Sequence, residues 1–140
     1  MFLGEYKHSI DSKGRVFIPA RFREHENQRF FLNRGLDGCL PGFNEEGWAV
    51  QQAKINSMDT LKKNARDFKR IYFSKAAETV CDKQGRINLP GSLLREAGLD
   101  REVVVVGVSD HFEIWDTTRW EEYQREAGTR YEEIAENLAE

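Results

Sequence analysis

The sequence predicts an α+β fold, mainly β: a small closed barrel of two interleaved copies of one plan, with flanking helices. Three observations carry this. "DSKGRVFIPARF" from Asp11 and "DKQGRINLPGSL" from Asp82 align without a gap, sharing Asp, Gly, Arg and Pro at 11/82, 14/85, 15/86 and 19/90, each pair 71 residues apart. The match then continues beyond the turns. Phe2 aligns with Phe73 at the same offset; after one inserted residue Gly35 aligns with Gly107, Leu40 with Phe112, Phe43 with Trp115 and Trp48 with Trp120. Finally, the strands are short and glycine-punctuated, and closing them into a barrel removes the edges that two isolated four-stranded units would expose. The copies span 1–56 and 72–127, joined by a connecting helix at 57–71 and followed by an acidic helical extension at 128–140.

Each copy opens on a strand, "EYKHSI" or "AAETVC", and enters a polar turn where Gly14 or Gly85 can take positive φ. A short strand returns, "RVFI" or "RINL". Val16 and Ile18 share one face, as do Ile87 and Leu89, the period-2 signature of a half-buried strand. Pro19 and Pro90 suit a first helical turn, so "ARFREH" and "GSLLREAG" read as short helices. A second strand pair follows: "RFFLNRG" and "GCLPGF", then "VVVVGVS" and "HFEIW". Asn44 and Asp116 are N-caps for the helices that close each copy, and Trp48 and Trp120, which begin those helices, read as core. "SMDTLKKNARDFKRIYF" sets Leu61, Ala65, Phe68 and Tyr72 on one stripe. Trp120, Tyr123, Ala127, Tyr131, Ile134 and Leu138 form another, with an acidic opposite face. Gly128 interrupts it.

Composition narrows the function. The chain has 140 residues, 39% hydrophobic and 32% charged, enough for a modest core, and a subunit of this size can lean on a second copy for burial. No apolar run reaches the ~18 residues of a membrane span, and "MFLGEYKHSID" offers no signal-peptide core. Cys39 and Cys81 have no zinc-ligand spacing and fit a reducing cytoplasm as free thiols; Cys81 aligns with Ile10, an apolar slot. The net charge of −3 hides an asymmetry: residues 1–95 hold 17 Lys/Arg and 11 Asp/Glu, whereas residues 96–140 hold 4 and 13. A basic body therefore carries an acidic tail, and overall pI says little about what one face binds. His8, His25 and His111 are scattered, and the chain has no nucleotide-binding or hydrolase motif. An enzyme, a metal site and a cofactor are not expected.

The turns carry the candidate chemistry. Lys13 and Arg15 stand at one, Lys83 and Arg86 at the other. A hairpin tip can enter a major groove, and the planar Arg fork suits phosphate or the O6/N7 edge of guanine, while Lys suits phosphate. Asp11 and Asp82, four residues before each Arg, can cap the turn through backbone N–H groups and orient the guanidinium. A solvated surface ion pair on an ordinary hairpin would use the same residues; two copies in register shift the balance toward a function, although duplication alone could preserve both passively. Lys54, Lys62, Lys63, Arg66, Lys69, Arg70 and Lys75 could contact phosphates, but such a run more often forms the wet face of an amphipathic helix. Arg21 and Arg23 follow the first turn, but Ser92 and Leu94 replace them in the second copy.

"MFLGEYKHSIDSKGRVFIPARFR", "GLDGCL", "FSKAAE", "DKQGRINLP" and "FEIWDTTRWEEY" together resemble the MraZ family over essentially the whole length. The resemblance implies swapped-hairpin halves of the AbrB/SpoVT type in one chain, and side-by-side assembly into rings. It also implies a bacterial, cytoplasmic, nucleoid-associated regulator of transcription that binds short direct repeats of double-stranded DNA upstream of a division and cell-wall operon. The family's Asp-x-x-x-Arg motif falls on Asp11 to Arg15 and on Asp82 to Arg86. The rival reading is a ring that scaffolds partner proteins through its acidic C-terminal helix.

Overall fold

The computed structural model describes residues 1–139. In chain order the elements are β1 (Glu5–Ser9), β2 (Arg15–Phe17), a 3-10 turn (Ala20–Phe22), β3 (Arg29–Leu32), β4 (Leu40–Phe43), α1 (Glu45–Asn56) and α2 (Lys63–Lys75). There follow β5 (Ala77–Val80), β6 (Arg86–Asn88), α3 (Gly91–Glu96), β7 (Glu102–Gly107), β8 (Phe112–Asp116), α4 (Thr117–Gly128) and α5 (Tyr131–Leu138). Six strands form one antiparallel sheet in the order β1-β7-β8-β4-β3-β5, and β2 pairs with β6 in a separate two-stranded ribbon. Every strand has a partner from the opposite half of the chain: β1 with β7, β3 with β5, β4 with β8, β2 with β6. Exchange the halves, reverse the list, and the strand order is unchanged.

The expected closed barrel is not present among the described residues. The six-stranded ladder stops at β1 and β5, because the strands that follow them, β2 and β6, leave the sheet and bond to each other. The return strand after each turn is therefore not the hairpin partner of the strand before it. The ribbon covers one sheet face instead. Val16, Ile18, Ile87 and Leu89 pack there with Phe30, Leu32, Leu40, Val103, Val105, Phe112 and Ile114 in one buried cluster. Cys81 joins Ile10 in this cluster, and both cysteines are free thiols.

The unbroken "VVVV" of β7 follows from two-sided burial. Val103 and Val105 face the main core, while Val104 and Val106 join Cys39 and Trp115 on the other face, with Trp120 of α4 against them. The helices begin where their caps stand: Asn44 Oδ1 accepts from Gly47 N at 2.8 Å, and Asp116 Oδ2 accepts from Arg119 N at 3.1 Å. The predicted C-terminal helix breaks after Gly128 into α4 and α5. The two tryptophans differ. Trp48 is buried, sandwiched between Phe31 and Tyr72 with ring centroids at 5.5 and 6.0 Å, whereas Trp120 is only half-buried. The stripe on the connecting helix is also less buried than its spacing implies. Leu61 lies outside α2 and is exposed, and Tyr72 and Phe73 rather than Phe68 meet Trp48.

Candidate nucleic-acid interface

The two turns fold by the same local chemistry. Asp11 Oδ1 accepts from the backbone N–H of Lys13 and of Arg15, both at 2.9 Å, and Oδ2 accepts from Arg15 Nε at 2.8 Å. Asp82 Oδ1 accepts from Gln84 N and Arg86 N, both at 2.9 Å, and Oδ2 from Arg86 Nε at 2.9 Å. Each turn closes with Gly N–H on the Asp carbonyl, at 3.0 Å in both, and Gly14 and Gly85 take φ of +79° and +87°. A side chain there would meet the steric penalty of the left-handed region. One carboxylate thus serves as turn cap and as orienter of a guanidinium. The Arg15 backbone N–H, then its guanidinium and the Lys13 N–H, hold Asp11 below the ordinary carboxylate range, and the same groups of Arg86 and Gln84 do so for Asp82. Both aspartates are anionic at neutral pH. Each arginine spends its Nε on this bond; the remaining N–H donors of a guanidinium are on its Nη atoms.

The ribbon makes one surface of the two turns. Arg15 lies opposite Asn88, Val16 opposite Ile87 and Phe17 opposite Arg86. Directly opposed residues share a face, so Val16 and Ile87 point into the core while Arg15, Phe17, Arg86 and Asn88 share the outer face. The turns are also bonded into each other's half: Ile18 N donates to Gly85 O and Leu89 N to Gly14 O, both at 2.8 Å. Lys13 and Lys83 are exposed at the turns, and Arg15 and Arg86 are half-exposed. All eight residues singled out from the sequence — Asp11, Lys13, Gly14, Arg15, Asp82, Lys83, Gly85 and Arg86 — thus lie on this ribbon and its two turns.

Two residues of this surface escaped the sequence reading, and a third, Arg23, was named there but set aside. Phe17 is 44% exposed, and the Arg86 guanidinium carbon lies 5.9 Å from its ring centroid. Asn88 shares its face. The alternation that placed Val16 and Ile87 inside already placed these two outside. Arg23 lay beyond the reach of the repeat, because its counterpart is Leu94. Its Nε donates to Ile18 O at 3.0 Å, and its guanidinium lies against Gly85, so that a methyl group there would stand 2.6 Å from Cζ. Leu94 occupies the corresponding place beside Gly14. The second turn therefore carries a cation that the first lacks.

The remaining polar clusters differ in kind. His111 bonds Asp110 Oδ1 through Nδ1 at 2.6 Å and Glu113 Oε2 through Nε2 at 3.0 Å, with Phe43 stacked at 5.3 Å. Burial opposes its charge, but the bonds to Glu113 and Asp110 outweigh burial and raise its pKa. Burial pushes the Cys39 thiol up to about 12. Among the described residues no group of three or more His, Cys, Asp or Glu stands placed to hold a metal ion, and no helix is long and apolar enough to cross a membrane.

Comparison with known proteins identifies the family. The family described as "MraZ protein, putative antitoxin-like" matches twice, over residues 1–71 and 72–140. A protein of Moorella thermoacetica named transcriptional regulator MraZ is 51% identical over 140 residues, covering 100% of this chain and 98% of the relative. Proteins of the same name from Ligilactobacillus salivarius and Lactiplantibacillus plantarum are 49% and 44% identical over 138 residues, covering 99% of this chain and 96% and 98% of the relatives.

Proposed function

The chain belongs to the MraZ family, and from that premise we propose that it is a sequence-specific DNA-binding transcriptional regulator. The observation that carries this reading is the ribbon: two turns of one geometry, each with an Asp-oriented guanidinium, on one solvent-facing surface. Asp11, Gly14, Asp82 and Gly85 shape the turns, and Arg15, Arg86, Lys13 and Lys83 contact DNA, with the free Nη edges of the arginines meeting phosphate or guanine. The swapped-hairpin duplication, with copies at 1–56 and 72–127, belongs to the same reading. The symmetric strand order and the doubled family match support it.

The rest of the reading concerns assembly and target. Subunits form a ring whose turns address short direct repeats upstream of a division and cell-wall operon, in the cytoplasm and on the nucleoid. Weak contacts at each turn sum to tight binding when the repeat spacing fits the ring. The regulator acts by binding, without catalysis. A scaffold that docks proteins on its C-terminal helix is the rival, favoured by the exposed apolar stripe of α5. The double variant Arg15→Ala/Arg86→Ala separates them. Fluorescence anisotropy on the chain's own upstream region should show affinity lost and a shallower salt slope, by roughly 0.9 per phosphate contact, with the assembled mass unchanged. Unchanged binding would refute the site.

A further inference from the structure

The outer face of the ribbon carries four side chains, and the turns account for only two of them. Arg15 and Arg86 are held by Asp11 and Asp82. Phe17 and Asn88 take no part in those turn bonds. Arg15 opens β2 and faces Asn88, while Arg86 opens β6 and faces Phe17. Antiparallel pairing therefore gives each end of the ribbon one oriented guanidinium and one further side chain, and that further side chain differs between the ends.

Phe17 and Asn88 stand at the same position of the repeat, 71 residues apart. Folding explains neither. Phe17 is 44% exposed and lies outside the buried cluster that Val16 and Ile18 enter from the other face of the chain. The equivalent strand β6 forms with Asn in that place, so the ribbon needs no apolar side chain there. Asn is a poor strand residue, and Asn88 is exposed. A lone exposed aromatic is ordinary on a protein surface, but this one is placed. Its ring centroid is 5.9 Å from the Cζ of Arg86, the guanidinium that Asp82 also holds, and 6.3 Å from the His8 ring of β1.

The spacing suits a duplex. Same-face residues on a strand stand ~7 Å apart, close to two steps of ~3.4 Å along a DNA strand, and a two-stranded ribbon fits the major groove. There an aromatic side chain meets the C5-methyl of thymine, and the carboxamide of Asn matches the N6/N7 edge of adenine. We infer that Phe17 and Asn88 read bases and tell the two ends of the ribbon apart: Phe17 meets a thymine methyl beside Arg86, and Asn88 takes an adenine edge beside Arg15. This rests on the DNA-binding reading above and gives it specificity residues outside the Asp-x-x-x-Arg motifs. The arginines are common to both ends; the Phe17/Asn88 difference supplies direction.

The test begins by selecting bound DNA from a random pool with the full-length parent, with Phe17→Ala, with Asn88→Ala and with the exchange Phe17→Asn/Asn88→Phe. Phe17→Ala should relax one thymine of the parent consensus and Asn88→Ala one adenine. The exchange should turn that thymine into adenine and that adenine into thymine. Anisotropy on the selected site then probes single atoms with the parent protein, where misfolding of a variant plays no part. Deoxyuridine in place of the thymine should weaken parent binding about fourfold, the worth of one buried apolar carbon, and should not weaken Phe17→Ala further. 7-Deazaadenine in place of the adenine should weaken the parent and leave Asn88→Ala indifferent, and the variant itself should lose roughly 5- to 150-fold discrimination at that base. The salt slope of both variants should match the parent's, because neither side chain neutralises a phosphate. A variant consensus identical to the parent's, or a parent indifferent to both base analogues, overturns the inference and leaves the DNA-binding reading standing. A parent that selects no sequence from the pool overturns that reading itself.

Discussion

Replacing Gly14 or Gly85 by Ala isolates the backbone of the turns from their charges. Both glycines sit at positive φ, +79° and +87°, where a Cβ costs roughly 1–2 kcal/mol. Ala also restricts the unfolded chain, which returns about 0.4–1 kcal/mol. The net loss is about 1 kcal/mol, or about 3–5 °C in Tm for a domain of this size. At Gly14 no further cost arises, since the nearest atom to the new methyl, Leu89 O, is at 3.4 Å. At Gly85 the methyl would stand 2.6 Å from Arg23 Cζ, so the guanidinium swings out, at little expense because it is the end of a flexible chain. The two variants should then lose similar stability in differential scanning calorimetry but differ in DNA affinity, Gly85→Ala being the weaker because Arg23 is displaced. In an Arg23→Ala background that difference should vanish. A Tm for Gly14→Ala within a degree of the parent would refute the left-handed turn. Equal DNA affinity of the two variants would remove Arg23 from the interface.

Three further outcomes follow from the packing and the titrating groups. Gly107→Ala would drive its methyl into Leu3 N and Phe2 C, backbone that cannot rotate away; unfolding in urea should show a loss at the upper end of the ~1–3 kcal/mol typical of overpacking. The His111 pKa is raised above 6.5, so its contribution is full below pH 6.5 and fades as pH rises through the folded value, while those of Glu113 and Asp110, lowered from 4.5 and 3.8, fade as pH falls through theirs. The Tm gap between the parent and His111→Gln should therefore be widest between about pH 4.5 and 6.5 and shrink at pH 9, and a gap that widens at pH 9 would reverse the assignment. Cys39, pushed up to about 12, and Cys81, raised by burial, should resist a thiol-specific dye at pH 7.5 in the folded protein and both react in guanidinium; fast labelling of the native chain would contradict their burial.

Local features were legible in the sequence and pairing was not. Asn44, Asp116, Gly14, Gly85 and Gly128 announced caps, turns and a helix break because each acts on its own neighbours. The alternation of Val16 and Ile18 fixed which face is buried, but a face does not name the strand beside it, and nothing local says that β2 leaves β1 for β6. The same apolar pattern serves a closed barrel or an open sheet capped by a ribbon, so the barrel expectation failed on partner choice rather than on burial. Trp48 and Trp120 look alike in sequence, and what sets their exposure apart is the cover that Phe31 of β3 and Tyr72 of α2 give to Trp48. Arg23 was passed over because the repeat was used as a filter, and a residue acting on one turn alone cannot survive that filter.

That asymmetry bears on the kind of DNA site that the proposed function implies. A dimer with exact two-fold symmetry favours palindromic DNA, because each half-site meets the same side chains. Here the backbone of the ribbon is nearly symmetric and the side chains are not. Lys13 aligns with Gln84, Ser12 aligns with Lys83, and Arg23 faces Leu94 across the repeat. The first turn offers Lys13 and Arg15; the second offers Lys83, Arg86 and Arg23. If the ribbon is the DNA-binding surface proposed above, its two ends would present unequal charge to the duplex, and a directional repeat would suit them better than an inverted one. Arg15→Ala and Arg86→Ala as single variants should relax selection at different base positions within one repeat when bound DNA is sequenced from a random pool. Loss of preference at one position should cost ~1–3 kcal/mol if the contact is bidentate to guanine. Identical changes in both selections, or a palindromic consensus, would show that the two turns are used interchangeably and that their unequal side chains carry no sequence information.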